Sequence, residues 1–320
     1  MKMKNNKMMN HWTGGVVLAG VSLLGLPALA QDVESLDNGV AAPAAQAQPA
    51  ADKSARLPIA VTGGVSEQFK ADIDKGGSFS LTRVKAGVSL PVRLNDAFTL
   101  STSLRYEYDY YDFSGIPSLW KNINTLSASA ILSWRVDEKW TAYGGGFVKM
   151  SAESGSALNQ GTTGGGLIGF NYQVNETLSL GAGLALMSQL EDDTRVLPLI
   201  TAKWKFDDSW RLDVGLTDVA TTGYGAKLNW LFSKEVEFGL GAQYHKSRFR
   251  IDAANGVGQE RSTTLFVDAT WHACPPIDLN AFVGLATGGN VEVDNSSGHQ
   301  LSESDYKAAA LIGARATVRF

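Results

Sequence analysis

The chain has 320 residues, with 28 Lys and Arg against 32 Asp and Glu and a net charge of −4. This mildly acidic balance argues against a nucleic acid as partner. Cys274 is the sole cysteine of the sequence, so neither an internal disulfide nor a cysteine metal cluster can form.

The first thirty residues have the order of regions of a secretory signal peptide. Three lysines among the first seven residues precede an apolar run over residues 16–26, and Ala28-Leu29-Ala30 supplies the small residues of a cleavage site. The run is too short to span a membrane as a helix. Cleavage after Ala30 would leave 25 basic and 32 acidic residues, a net charge of −7. We therefore predict that residues 1–30 direct export from a Gram-negative cell.

Residues 31–56 differ in composition from the remainder of the chain. The stretch 41–56 is rich in Ala, Pro and Gln and contains no large apolar side chain. Such a segment cannot bury enough surface to offset its chain entropy. It is predicted to be a flexible periplasmic tail; the alternative is a plug inside a barrel.

The prevailing period from Leu57 to Phe320 is two. In the window 178–187, for example, Leu178, Leu180 and Leu184 share one face, while small and polar residues occupy the other. This alternation is typical of strands with one apolar and one polar face. No run of 18 apolar residues occurs in this part of the sequence. The pattern predicts an all-β domain over residues 57–320.

Turn signals divide this domain into segments separated by short and long breaks in alternation. The short breaks lie near residues 95–96, 137–139, 175–177, 207–209, 233–235 and 274–276. The long breaks lie near 72–77, 112–122, 152–161, 191–194, 253–259 and 288–305, and 221–225 is the one brief member of this second set. Outer-membrane barrels have tight periplasmic turns and longer extracellular loops. We predict a transmembrane antiparallel up-and-down β-barrel of 14 strands, with 12 as the alternative. Pro91 is expected at a bulge near the inner rim and Pro198 at the outer rim, because a closed barrel has no edge for a missing N–H.

Aromatic residues cluster at both ends of the predicted strands. Two such bands match the girdles of amphipathic rings at the membrane interfaces. The predicted girdle residues are Trp134, Trp140, Trp204, Trp210, Trp230, Trp271, Tyr106, Tyr108 and Tyr244.

The last predicted strand, residues 308–320, alternates apolar and polar residues and ends in Phe320, with Ile312 and Val318 on the same face. It resembles the C-terminal signal of outer-membrane proteins, which the barrel-assembly machinery recognises, although alanine stands where a second aromatic is often found. The chain is also similar to uncharacterised barrels known as a domain of unknown function. The resemblance implies an outer-membrane location and an envelope of lipid and lipopolysaccharide, and it transfers no functional residues.

No constellation of catalytic residues stands out. Residues 164–169 satisfy G-x-G-x-x-G, but the segment continues as a strand, whereas a dinucleotide site needs a helix after it. His245, His272 and His299 have no spacing to a Ser and a carboxylate that would enforce a triad. We predict that the protein is not an enzyme and has no cofactor and no bound metal.

The inward face of the predicted barrel carries more bases than acids. Ionisable groups there need water or counter-charges. The candidate lumen-lining residues are Arg83, Lys85, Arg105, Glu107, Arg135, Lys149, Lys203, Lys205, Arg211, Asp213, Lys227 and Arg315. Fourteen strands imply a backbone diameter of roughly 28 Å and an opening on the order of 15 Å before loops fold in. The expected function is passive passage of small solutes through a mildly basic pore. The alternatives are a structural or surface-interaction barrel with a plugged lumen and, less favoured, an envelope enzyme.

Overall fold

The computed structural model describes residues 59–219 and 222–320. The predicted signal peptide, the predicted tail and the first two residues of the predicted barrel domain lie outside these residues. The strands, in chain order, are β1 (Ala60–Asp72), β2 (Ser78–Arg93), β3 (Phe98–Ser114), β4 (Ile123–Arg135), β5 (Trp140–Glu153), β6 (Thr162–Asn175), β7 (Leu178–Gln189), β8 (Asp192–Lys205), β9 (Trp210–Asp218), β10 (Thr222–Leu231), β11 (Val236–Arg250), β12 (Val257–Cys274), β13 (Ile277–Asp294), β14 (Gln300–Tyr306) and β15 (Ala309–Arg319).

Strands that are adjacent in the wall pair in antiparallel ladders, and the last strand closes the sheet on the first. Ala60 lies opposite Arg319, and the β1–β15 ladder continues to Gln68 and Leu311. Both β14 and β15 pair with β13, so together they occupy one position in the wall. The wall therefore has fourteen positions, and the predicted all-β closed barrel of 14 strands is confirmed.

Two short 3-10 helices interrupt the connections, at Leu158–Gly161 and Ala253–Asn255. Across residues 59–219 and 222–320, no helix combines the length and the apolar character needed to cross a membrane.

The outer surface of the barrel is apolar because successive side chains of a strand point to opposite faces. On β7 and β8, Leu184, Leu186 and Ile200 are each more than half exposed, whereas Leu197 and Leu199, on the opposite face of β8 from Ile200, are buried. The same alternation continues around the wall, with Val65, Leu240 and Val283 among the exposed side chains. Such a continuous exposed apolar surface fits a hydrocarbon environment.

Several predicted loops are shorter than the turn signals indicated. The predicted long break at 288–305 is mostly a hairpin, in which β13 extends to Asp294 and pairs with β14. The predicted break at 191–194 is a tight turn, since β8 begins at Asp192. Polar residues on both faces of these outer segments hide the period of two, so the sequence suggests loops where the backbone continues as strand.

Pro91 lies near the predicted rim, two residues before the end of β2, but without the predicted bulge, and Pro198 lies away from its predicted rim. Pro91 pairs with Ser101 on β3 without a shift in register, so the expected bulge is absent at this ladder. On the other side of β2, the pairing with β1 ends at Ser89, so Pro91 lies beyond the last paired residue of that ladder. Pro198 lies inside β8 opposite Leu184 rather than at the rim. The barrel does contain an edge, and Pro198 lies along it.

That edge arises because β9 leaves the wall. Within the described residues, the β8–β9 pairing covers only four positions, from Lys205 opposite Arg211 to Ala202 opposite Val214. The next residue of β9, Gly215, has φ +135°, a conformation that an L side chain rarely adopts. Beyond Gly215 the strand remains paired with β10. Residues 215–219 and 222–224 are here called the inturned hairpin.

Candidate functional site: the interior of the barrel

The inturned hairpin lies between two walls of the lumen. Leu216 and Tyr224 pack against an apolar cluster on the inner face of β4–β8. Val219 packs against a second cluster on β13 and β15. The first cluster consists of Ile131, Tyr143, Phe147, Leu167, Ala185, Met187, Leu197 and Leu199; the second consists of Phe282, Ala286 and Leu311. The hairpin thus spans the lumen instead of continuing the wall.

The tip of the hairpin is held by charge. The carboxylate of Asp218 lies 3.6 Å from Lys85 Nζ, 3.4 Å from an Arg105 guanidinium nitrogen and 3.5 Å from an Arg315 guanidinium nitrogen. Arg315 also donates a hydrogen bond to the Asp218 carbonyl. The three bases belong to β2, β3 and β15, on the wall that the hairpin reaches across the lumen. They line a cavity of about 90 Å³ beside the hairpin tip, together with Asp218 and Val219.

A buried ionic cluster follows Lys85 on the same wall. Arg83 Nε lies 2.8 Å from Asp109 Oδ1 and 3.4 Å from Glu107 Oε1, and Lys85 Nζ lies 3.3 Å from Glu107 Oε2. Arg83, Glu107 and Asp109 are almost fully buried. A buried charge is tolerated when it is paired and hydrogen-bonded. Arg83 and Asp109 meet both conditions through two hydrogen bonds, whereas Glu107 is ion-paired with Arg83 and Lys85 and its Oε2 has no hydrogen-bond partner among the described residues.

The ionic cluster continues onto β11 and β12. An Arg83 guanidinium nitrogen lies 3.4 Å from His245 Nε2, which in turn lies 3.5 Å from Glu260 Oε2. Tyr306 donates a hydrogen bond to Glu260. The cluster therefore connects β2 and β3 with β11, β12 and β14 across the interior.

An apolar cluster lies in the interior at the end of the barrel with the long connections. Trp120, from the β3–β4 connection, packs edge-on against Tyr111 and Phe249, with ring centroids 5.5 and 5.0 Å apart. Its other buried members are Ala71, Ile73, Phe79, Leu81, Ile123, Ile251, Val291, Tyr306 and Ala309. Because these residues come from both sides of the barrel, the cluster narrows the interior at this end.

The end of β11 also contacts the opposite wall. Arg250 lies opposite Ala152 of β5 in a single parallel bridge and donates hydrogen bonds to the Gln160 carbonyl and, at 2.6 Å, to Glu191. Arg248 donates to the Leu190 carbonyl at 2.8 Å. The outer ends of β5, β7 and β11 are thereby held together.

The half of the interior near the short turns contains further ion pairs. Arg211 contacts Asp213 at 2.8 Å and Glu237 at 3.3 Å, and Lys227 contacts Asp268 at 2.8 Å. Asn280 also donates a hydrogen bond to Asp268, at 2.7 Å. Arg211 is therefore paired with an acid on its own strand and one on β11, and Lys227 is paired with an acid on β12, two strands away.

The structure brings together some of the predicted lumen residues and separates others. Arg83, Lys85, Arg105, Glu107 and Arg315 form one continuous group with Asp218. Arg211, Asp213 and Lys227 lie in the ion pairs near the short turns. The remaining candidates lie apart from the hairpin contacts: Arg135 and Lys203 are exposed, Lys149 is half-buried, and Lys205 pairs with Asp208 of the β8–β9 turn.

The predicted girdle residues lie on the outer surface. Trp134, Trp140, Trp204, Trp210, Trp230, Trp271 and Tyr106 are 40–52% exposed, and Tyr108 and Tyr244 are half-buried. Several rings contact a neighbour, such as Trp140 with Tyr172 at 4.6 Å between centroids. At the C-terminus, Ile312 and Phe320 are exposed on the outer face, and Val318 is half-buried.

Sequence reasoning missed four residues of the interior, namely Asp218, Glu260, Trp120 and Tyr306. Asp218 and Trp120 fall in or beside predicted breaks, where the period gives no direction. Tyr306 is buried because β13 changes its inward face at Gly288, which has φ +59° beside a register shift with β12. The interior is consequently filled where an opening on the order of 15 Å was expected before loop insertion. In the described part of the chain, no group of three or more His, Cys, Asp or Glu side chains could hold a metal ion.

Comparisons with known proteins identify a family and a set of similar folds. The family described as a domain of unknown function (DUF6268) matches residues 129–305, more than half of the chain. No curated protein matches the sequence. The fold is similar to that of the COG4313 outer membrane channel from Pseudomonas putida F1, with 11% identity, a TM-score of 0.48 and coverage of 85% of this chain and 99% of that chain.

Two further solved structures are similar at the same level. A FadL homologue from Pseudomonas aeruginosa has 10% identity and a TM-score of 0.48 over 91% of this chain and 97% of that chain. The KdgM porin has 9% identity and a TM-score of 0.37 over 82% of this chain and 99% of that chain.

Proposed function

We propose that this chain, which belongs to the DUF6268 family, forms a channel for small solutes in the bacterial outer membrane. In the present conformation, the inturned hairpin closes this channel. The observation that carries the proposal is the four-residue β8–β9 ladder. Strand β9 leaves this ladder at Gly215, and its end then obstructs the lumen. Because the end of β9 is not paired with β8, it can move, whereas a fixed plug could not.

The alternative position of the hairpin is defined by the existing register. If the β8–β9 pairing continued past Ala202 and Val214, Ile200 would lie opposite Leu216. That rearrangement would exchange the contacts of Leu216 and Tyr224 inside the lumen for main-chain hydrogen bonds along β8. Motions of this kind between two packed arrangements underlie many opening transitions.

Conductance in planar bilayers tests the proposal. Replacing residues 217–223 with Asn-Gly should give a tight turn between Leu216 and Tyr224, because Asn-Gly favours two-residue hairpins. We expect the full-length wild-type protein to conduct rarely and the shortened variant to conduct persistently. The matched control replaces residues 295–299, the β13–β14 turn, with Asn-Gly and should conduct like the wild type. A shortened variant that folds and conducts no more than the wild type would contradict the proposal.

We further propose that the open channel favours anions, because Lys85, Arg105 and Arg315 face the space that the hairpin tip would vacate. The Debye length is about 30 Å at 0.01 M salt and about 3 Å at 1 M, so anion preference should be strong only in dilute salt. Reversal potentials of the shortened variant under a salt gradient measure it. Lys85→Gln with Arg105→Gln should move the potential toward neutrality; cation preference before these changes would contradict the proposal.

Delivery to the outer membrane is proposed to depend on the exposed C-terminal aromatic, read by the barrel-assembly machinery, with the outer hairpins meeting lipopolysaccharide. Phe320→Asp should abolish the heat-modifiable folded form in membrane fractions. Phe232→Asp places the same charge at another exposed periplasmic position and is the control. Equal losses for the two variants would indicate a general effect of charge rather than a recognition signal.

A further inference from the structure

We infer that Lys85, Arg105 and Arg315 form a binding site for the carboxylate of a small solute, and that Asp218 occupies this site when no solute is bound. This inference rests on the proposed channel function and specifies the class of solute that opens it.

The three bases are placed together by the strand register. Gly64 of β1 lies opposite Lys85 on one side and opposite Arg315 on the other, so these two bases flank a residue without a side chain. Arg105 lies opposite Gly87, two residues further along β2. Glycine at the inward position between two bases leaves a recess in the wall, and the cavity of about 90 Å³ includes Gly64 and Gly87 in its lining.

The chemistry of the recess suits a carboxylate. Guanidinium groups bind carboxylates through charge-assisted hydrogen bonds that fix the orientation of the anion. The Asp218 carboxylate makes ion pairs with nitrogen atoms of all three bases, at 3.4–3.6 Å. It therefore shows which group the recess accepts.

The remainder of the cavity limits the size and polarity of the solute. The cavity of about 90 Å³ lies beside the Asp218 carboxylate, so withdrawal of Asp218 would leave room for a solute carboxylate and a small body attached to it. Phe282, on β13, contributes apolar surface to its lining and stays in the wall when the hairpin withdraws. The fitting ligand is a short monocarboxylate with an apolar body.

Binding of such a solute would be coupled to the hairpin. If Asp218 withdrew without a replacement, three bases would lose a shared counter-charge at a half-buried site, which disfavours the withdrawal. A solute carboxylate that takes its place removes this cost, because it binds only the state in which the hairpin has withdrawn. Asp218 therefore acts as an internal competitor, and the affinity measured in the wild type is reduced by the fraction of molecules in which the site is vacated.

Calorimetric titration of the purified full-length protein in detergent micelles, with butyrate and benzoate as probes, tests the site. Asp218→Asn removes the competing charge, and we expect both carboxylates to bind about tenfold more tightly than to the wild type. Butyramide and benzamide, which have the same shape without charge, should not bind. Inorganic phosphate should bind more weakly than butyrate; phosphate binding that is equal or tighter would overturn the assignment to carboxylates.

Two further variants assign the binding to this recess. Adding Arg105→Gln or Arg315→Gln to Asp218→Asn should return the affinity to the wild-type level or below. Adding Lys139→Gln, at an exposed position in the β4–β5 turn, should leave it unchanged. Heat-modifiable mobility verifies that each variant is folded. The inference is overturned if Asp218→Asn leaves carboxylate affinity unchanged or if the Lys139 variant loses as much as the arginine variants.

Hydrogen exchange, together with binding and conductance, separates this inference from the channel function. Butyrate should speed amide exchange within residues 215–224 of the wild type and leave exchange in β12 unchanged. Tighter carboxylate binding in a protein whose shortened variant never conducts would refute the channel and retain the site. Conductance in the shortened variant, with no effect of Asp218→Asn on binding, would refute the site alone.

Discussion

The hydroxyl of Tyr224 hydrogen-bonds to the backbone of Ile200. The Ile200 N–H donates to Tyr224 Oη at 3.0 Å, and the Tyr224 hydroxyl donates to the Ile200 carbonyl. A side chain from β10 thus satisfies the donor and the acceptor that β9 would serve if it stayed in the wall. This contact links the position of the inturned hairpin to the exposed edge of β8.

Tyr224→Phe should release the hairpin from β8 while keeping the ring in its apolar contacts. The Ile200 backbone would lose both partners, which costs about 1–3 kcal/mol when the groups are buried. We expect faster hydrogen exchange in residues 215–224 and a lower free energy of unfolding in urea. Tyr110→Phe, whose ring is 49% exposed, is the control. Equal protection of the hairpin in both variants would show that the hydroxyl contributes little.

Gly215→Ala should shift the hairpin toward the wall. At φ +135° an alanine is strained, and its Cβ would lie 3.1 Å from Thr201 Cγ2. Strain of this kind is worth about 1–3 kcal/mol and disappears if the strand extends along β8. More frequent channel openings in planar bilayers are the expected result. Gly63→Ala, where the added Cβ would meet only a carbonyl oxygen at 3.9 Å, should not change the opening frequency; unchanged opening for Gly215→Ala would contradict the hinge.

Arg83→Ala should strongly destabilise the barrel. Removing the guanidinium leaves Glu107 and Asp109 buried without their shared partner, and loss of one member of a buried pair costs about 3–5 kcal/mol. The free energy of unfolding in urea, followed by tryptophan fluorescence, measures the loss. Lys75→Ala, at an exposed position in the β1–β2 turn, should show no measurable change. A loss below about 1 kcal/mol for Arg83→Ala, the range of surface pairs, would mean that water reaches this cluster.

The orientation of the barrel predicts which turns are accessible on intact cells. Epitope tags inserted after Asn255 or Ser297, in outer connections, should react with antibody in whole cells. Tags at Asp137 or Asp208, in the tight turns of the opposite end, should react only after the outer membrane is opened. Labelling at Asp208 and not at Ser297 would reverse the assigned orientation.

The period of two was sufficient to predict the strand number and the outward face, because alternation depends only on local backbone geometry. The same rule could not predict the inturned hairpin. Leu212, Val214 and Leu216 alternate identically whether the end of β9 lies in the wall or in the lumen. The direction of β9 is decided by Gly215 and by Asp218, whose basic partners lie about 100 or more residues away in the chain. Contacts between such distant residues leave no periodic signal.

The edge of β8 also explains how a bilayer can border an incomplete ladder. Lipid offers no hydrogen bonds, so each unmet backbone group in the hydrocarbon region is costly. Backbone groups of alternate residues point to the same edge, which places Val196 and Pro198 alongside Ile200 toward the missing neighbour. Tyr224 serves Ile200, and Pro198 has no N–H to satisfy. Of these three residues, Val196 alone presents an N–H donor to this edge that neither Tyr224 nor a proline accounts for. Proline therefore lowers the cost of placing this edge in the hydrocarbon region.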